Sequence, residues 1–194
     1  MIRLALLRHG HTGWNRAGRI QGRSDIALDA NARRDLAGLS LPDPWQAAAL
    51  WSSPLLRATE TAQLVAGRAP RTDAALVEMN WGAWEGLRGA DLRADASSGF
   101  RDIETWGWEF RPPGGESPAE VWHRLRPWVL SLNRDSVAVC HIGIMRMILA
   151  RAHGWDFAGP APFQIKRNRL FVVDIADGQL SPWPEPVRLL QEAA

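Results

Sequence analysis

The sequence predicts an α/β fold, a three-layer α/β/α sandwich with a mainly parallel central sheet, from three observations. Short apolar runs alternate with longer helix-like segments. Several of those segments open on a capping residue. Two of the apolar runs stop at a histidine followed closely by glycine, so each strand end turns sharply into something new.

Residues 2–7 form the first apolar run and end at Arg8-His9-Gly10, which suits a buried strand entering a turn. Asp29 is placed to cap a helix over residues 30–39. Residues 47–51 read as a second strand, closed by Ser52-Ser53-Pro54. Ser53 as cap and Pro54 at the first helical position would open a helix over 55–68. Ser117-Pro118-Ala119-Glu120 matches a capping box and starts a helix reaching about residue 133. Residues 136–140 are a third strand, and Gly143 precedes an apolar helix over 144–152. Residues 169–175 are a fourth strand, followed by a turn at Asp177-Gly178. We read this fourth strand as an edge open to a second copy, which leaves a homodimer as one partner to test.

The chain has 194 residues, about the size of one α/β domain, and no linker or repeat divides it, so residues 1–194 are expected to form a single domain. Hydrophobic residues make up 46% and charged residues 23%, enough for a core without disulfides. Cys140 is the only cysteine, which removes the disulfide-scaffold class and fits a reducing compartment. The first residues become charged too quickly for a signal peptide, and no run approaches the roughly 18 apolar residues of a membrane span. A cytoplasmic protein with no membrane partner is expected. The net charge is only +2 and the arginines are scattered, so the basic stripe of a nucleic-acid binder is missing.

In open α/β sheets, ligands bind beyond the carboxyl ends of the strands. His9 follows the first strand and His141 the third, while Arg57 lies in the first turn of the helix after the second. A helix start attracts anions through its free N–H groups and its dipole. Arginine adds a planar fork of donors suited to phosphate oxygens. Glu78 heads a glycine- and tryptophan-rich segment running to Gly86.

The chain resembles the histidine phosphatase superfamily, also called the phosphoglycerate mutase-like family. The resemblance rests on five motifs in order: Arg8-His9-Gly10; the helix start from Ser53-Pro54-Leu55 through Arg57-Ala58 to Thr61-Ala62; Glu78 with Gly82 and Trp84-Glu85-Gly86; Pro113-Gly114-Gly115-Glu116-Ser117; and His141-Ile142-Gly143. Trp14-Asn15 and the stretch Gly18–Asp25 are similar to the family as well. It covers residue 4 to about residue 150 and implies the phosphoglycerate mutase-like fold. It further implies that His9 is the nucleophile that becomes phosphorylated, and that Arg8, Arg57 and His141 bind the phosphoryl group. Asn15 is a weaker candidate for a phosphoryl hydrogen bond. Glu78 would protonate the leaving group and then activate water, with Glu85 and Glu116 as competing choices for that role.

Elementary chemistry agrees with these roles. The nucleophile must be a neutral imidazole, and neighbouring guanidinium groups disfavour the imidazolium. The same groups neutralise the phosphoryl oxygens. The covalent step divides one hard displacement into two easier ones, and nothing in this scheme requires a metal or another cofactor. His9, His11 and His141 could in principle gather around a cation, but no carboxylate or cysteine set accompanies them and Arg8 is a poor neighbour. Many family members carry glutamate where this chain has His11, which bears on substrate choice and pH optimum.

Eleven tryptophans and no tyrosine mark the composition. Trp14, Trp81, Trp84, Trp106 and Trp108 lie near the motifs, where core packing competes with lining a pocket. Residues 97–113 lack a clear period and read as a lid, with Arg101 and Arg111 available to an anionic substrate. The expected function is hydrolysis of small phosphorylated metabolites. The alternatives are phosphoglycerate mutase-type transfer, α-ribazole phosphate as the specific substrate, and a non-catalytic phosphate-binding module. The short chain favours hydrolysis over mutase chemistry.

Overall fold

Alternation along the central strands sorts their side chains between two helical layers. In a computed structural model that describes residues 1–191, strand β1 (Ile2–Arg8) sends Leu4 and Leu6 to one core and Ala5 and Leu7 to the other. All four are essentially fully buried, each leucine stabilising the fold by about 1.5–3 kcal/mol through burial alone.

The order continues with α1 (Gly13–Arg16), α2 (Ala30–Ala37), β2 (Leu39–Ser40), β3 (Ala49–Ser52), α3 (Leu56–Ala66), β4 (Arg71–Thr72), α4 (Gly89–Ala94) and α5 (Pro118–Ser131). Then come β5 (Ser136–Cys140), α6 (Ile142–His153), β6 (Arg169–Ala176), β7 (Gln179–Pro182), β8 (Val187–Arg188) and β9 (Leu190–Gln191). The main sheet runs β4-β3-β5-β1-β6-β7, with β8 also on β6. Strands β4, β3, β5 and β1 are parallel, whereas β6, β7 and β8 join antiparallel. Helices α2 and α3 cover one face, and α5 and α6 cover the other. This is the expected α/β arrangement with a mixed, mostly parallel sheet.

The register places Arg8 opposite Cys140, so β1 and β5 end side by side and release His9 and His141 together. Several local expectations hold. Asp29 accepts from the Ala32 N–H at 2.8 Å and caps α2. Ser117 and Glu120 form the reciprocal capping box of α5, with Pro118 at its start. Asp177 and Gly178, both at positive φ, make the tight turn between β6 and β7.

Three expectations need correction. Helix α3 begins at Leu56, not at Pro54; Ser53 does not cap it, and the Leu56 N–H instead donates to Asp25 Oδ1 at 2.7 Å from a distant loop. Residues 45–47 form a 3-10 turn, and the second strand starts at Ala49. Residues 169–175 are not an edge, because β6 pairs with β1 on one side and with β7 and β8 on the other. The route to a homodimer through that strand is therefore closed.

Candidate active site

The site assembles where parallel strands stop. The His9 N–H still donates to Cys140 O at 3.0 Å, so His9 is the last rung of the ladder rather than a free loop residue. Its ring Nδ1 lies 2.7 Å from Gly10 O. A carbonyl only accepts, so Nδ1 carries the proton and Nε2 keeps its lone pair. The ring centroid of His141 is 5.1 Å away. Both imidazoles are buried, and burial holds each well below its ordinary pKa; Arg57 and Arg8 push the same way at His9, and His9 and Arg57 at His141.

Helix α3 locks this turn from the side. Thr61 Oγ donates to Arg57 O at 2.6 Å and accepts from the Gly10 N–H at 3.0 Å. Arg57 is completely buried. Its Nη1 and Nη2 donate to Ser24 O at 2.8 Å and Gly22 O at 2.6 Å, while its Nε has no partner. The expected open fork is thus partly committed to the loop that wraps the helix start.

Glu78 is held beside the second histidine–glycine turn. Its Oε1 accepts from the Met79 N–H at 2.7 Å, and its Oε2 accepts from the Gly143 N–H at 3.1 Å, in the first turn of α6. Burial raises its pKa above the ordinary carboxyl value, despite these two hydrogen bonds and despite Arg57 and Arg146. Gly143 leaves room for this carboxyl, because a Cβ there would lie 2.2 Å from Glu78 Oε1 and push it aside. The competing carboxylates are occupied elsewhere. Burial opposes ionisation of Glu85, yet hydrogen bonds from Ser24, Arg23 and Gly22 outweigh it and lower its pKa. Glu116 behaves alike, with Arg124 and the Asn80 N–H overcoming burial.

Arg8, His9, Asn15, Gln21, Glu78 and Trp81 are among the walls of a hollow of about 160 Å³. Arg57 and His141 are not among its walls, although the His141 ring lies beside that of His9. Burial, with Arg167 and Arg146, draws the Arg8 guanidinium down to about 9 against the pull of Glu78, so it stays charged at neutral pH. Among the described residues, eight buried side-chain polar atoms lack a partner, and five of them belong here: Arg8 Nε, Arg57 Nε, Gln21 Nε2 and both ring nitrogens of His141. Buried polar atoms are normally satisfied, so these five, four of them donors once one nitrogen of neutral His141 is counted as the acceptor, are left for a ligand or water to meet.

Two participants were not foreseen. Gln21 lies inside the stretch that carried the resemblance, and its Oε1 accepts from Thr12 Oγ at 3.0 Å and Asn15 Nδ2 at 3.2 Å. Arg167 carries no sequence signal. Its Nε donates to His9 O at 3.1 Å and its Nη2 to Asn15 Oδ1 at 3.0 Å. Burial first, then Arg16, lowers its pKa to about 10.

Other expectations resolve differently. His11 does not line the hollow over His9. It borders a separate one of about 220 Å³ with Asp35 and Arg167, and burial and Arg167 lower its pKa. Trp84 and Trp106 are core residues, Trp108 packs beside the core, and Trp81 lines the site. Within residues 97–113, Ile103 and Trp106 are buried, and Gly107 N–H donates to Phe157 O at 3.2 Å. The segment is a pinned wall rather than a loose flap. Arg101 faces the hollow beneath it, but Arg111 pairs outward with Glu120 at 2.9 Å. Among the described residues, no three His, Cys, Asp or Glu side chains gather in a metal-binding group, and no helix is long and apolar enough to cross a membrane.

Comparison with known proteins converges on one family. Residues 4–182 match the histidine phosphatase superfamily (branch 1). Glucosyl-3-phosphoglycerate phosphatase of Mycobacterium tuberculosis is 33% identical over 168 residues, covering 76% of this chain and 74% of that protein. An acid phosphatase of the same organism is 32% identical over 176 residues, covering 81% and 82%. The solved structure of mycobacterial glucosyl-3-phosphoglycerate phosphatase with VO3 is similar over 99% of this chain and 98% of that one, at 28% identity and a TM-score of 0.75. A solved protein of Thermus thermophilus, TTHB049, matches over 99% and 100%, at 33% identity and a TM-score of 0.70. The chain belongs to the histidine phosphatase superfamily, branch 1, and is an enzyme of the phosphoric monoester hydrolase class.

Proposed function

We propose that the chain hydrolyses small phosphorylated metabolites through a phosphohistidine on His9, with Glu78 as general acid and then general base. The observation that carries this reading is the hydrogen bond from His9 Nδ1 to Gly10 O, which leaves a neutral ring with a free Nε2 beside a hollow walled by Arg8, Asn15, Gln21 and Glu78.

The Nε2 lone pair attacks phosphorus, forming a P–N bond as the P–O bond to the leaving group breaks. The unpartnered donors of Arg8, Arg57, Gln21 and His141 supply the transferred oxygens with hydrogen bonds, each donor worth on the order of 10²–10³ in rate. Asn15 serves the same oxygens from a position braced by Arg167. Glu78 suits the acid role because burial keeps its proton at higher pH than usual. It gives that proton to the departing alkoxide, typically worth about 10²–10⁴. Its carboxylate then takes a proton from water, which attacks phosphorus and returns the electron pair to Nε2. No step calls on a metal, and chelator is expected to leave turnover intact. The VO3 held by the mycobacterial relative supports an oxyanion site in the shared fold, since vanadium and phosphorus oxyanions have similar geometry. Soluble, cytoplasmic action on metabolites fits this reading.

The test is a rapid quench into alkali, in which the P–N bond survives, with a ³²P-labelled monoester. Label is expected on the wild-type protein and absent from His9→Ala, with p-nitrophenyl phosphate turnover reduced on the order of 10⁴-fold or more. Undiminished turnover by His9→Ala overturns the proposal. Feeding 3-phosphoglycerate separates hydrolysis from mutase chemistry: inorganic phosphate supports the former, 2-phosphoglycerate the latter.

A further inference from the structure

The hollow over His9 shares Ile20 and Trp81 with a larger one of about 310 Å³, walled on its far side by residues 100–106. A leaving group departing from His9 past Trp81 has this space to occupy. Its walls mix aromatic faces, Trp81, Phe100 and Trp106, with five charged side chains. Arg93 is neutralised at the rim by Asp102, 2.7 Å away. The Arg101 guanidinium stacks 4.8 Å over the Phe110 ring. That leaves Arg146 and Glu104.

Arg146 projects from α6, five residues after His141, and borders both this hollow and the adjoining one of about 210 Å³. Glu104 borders the same two. Among the described residues Arg146 forms no ion pair, and neither Glu104 nor Glu78 comes within pairing distance of it. Burial disfavours its charge, while Glu78 and Glu104 support that charge only from a distance. No Arg146 nitrogen is among the sealed-off unpartnered atoms, so its guanidinium is open to the hollow and can exchange water for an arriving anion.

We propose that Arg146 is a second anion-binding residue, selecting monoesters whose leaving group carries a carboxylate or a second phosphate held between Trp81 and residues 100–106. The proposal rests on the phosphatase reading above. Glu104 then acts against the same anion, keeping Arg146 solvated but uncommitted until substrate arrives.

The experiment compares three substrates with a common three-carbon skeleton: glycerol 3-phosphate, 3-phosphoglycerate and glycerol 1,3-bisphosphate. Release of inorganic phosphate is measured as kcat/KM, with p-nitrophenyl phosphate run alongside. Wild type is expected to favour one of the two anionic substrates over glycerol 3-phosphate by roughly 10- to 100-fold, the span of one charged hydrogen-bonded contact. Whichever is favoured identifies carboxylate or phosphate as the anion. Arg146→Met should collapse that ratio towards one, mainly through KM, and Glu104→Gln should increase it. If Arg146→Met fails to fold, the Glu104→Gln ratio decides alone. No wild-type preference, or an unchanged ratio in the folded variants, overturns the proposal. So does an Arg146→Met variant that shifts only the alkaline limb of the pH profile, because that outcome assigns Arg146 to tuning Glu78. Failure of the wild type to turn over p-nitrophenyl phosphate would instead count against the phosphatase reading itself.

Discussion

His9 and Glu78 border one hollow, and their supports differ. Around His9 the backbone belongs to regular structure: β1 and β5 end together, and Thr61 of α3 clamps the Gly10 N–H. Around Glu78 the backbone is irregular, and the carboxyl is positioned by two N–H groups and by the missing side chain of Gly143. Arg124 ties the preceding segment to α5 through Ala75 O and Val77 O at 2.7 and 2.8 Å. The proposed nucleophile is therefore anchored in the sheet. The proposed acid is held among loops, where sequence can vary without unfolding the core.

The sharpest way to break this contrast is to dislodge Glu78 without touching it. Gly143→Ala should slow hydrolysis of alkyl phosphates by about 10²–10⁴, matching Glu78→Gln, because the new methyl group displaces the carboxyl. Turnover of p-nitrophenyl phosphate, whose leaving group needs no proton, should suffer much less in both variants. Equal losses on the two substrates would remove Glu78 from the acid role.

A smaller effect is expected at the sheet-anchored end. Thr61→Val leaves the Gly10 N–H buried and unpaired, at a cost of about 1–3 kcal/mol. For a chain of this size that lowers the thermal midpoint by about 2–4 °C per kcal/mol. A Thr61→Val midpoint equal to that of wild type would show that the clamp is not needed.

A further effect is a pH dependence of stability. His9 and His141 are neutral in the folded protein, with pKa values well below 6.5, while unfolded imidazoles protonate near 6.5. Their contribution is complete above that pH and is lost as pH falls below it, by up to about 1.4 kcal/mol per unit for each ring. Glu78 has the opposite sign: its raised pKa favours the folded state at low pH, and that advantage fades as pH rises above 4.5. Denaturant midpoints at pH 7.5, 6.5 and 5.5 should fall in that order, with a shallower slope in His141→Gln. A flat profile would mean that the rings take up protons in the folded state.

The amino-acid sequence alone was enough to locate β1, β5, α2, α5 and the family, because alternation, capping chemistry and the histidine–glycine strand ends are local properties. It also singled out His9, Arg8, Arg57, Glu78 and His141 as residues to bring together. It misread the start of α3, because the group that satisfies the Leu56 N–H is Asp25, 31 residues away. It missed Arg167, which follows no motif and reaches His9 only through the antiparallel return of the chain. It chose Glu78 over Glu85 and Glu116 through the family resemblance, not through anything local, since the three differ in which distant N–H and guanidinium groups meet them. Residue types and periodicity decide which elements form. Which side chains are left buried and unpartnered, and so available for chemistry, is decided by contacts between segments that only the tertiary fold brings within hydrogen-bonding distance.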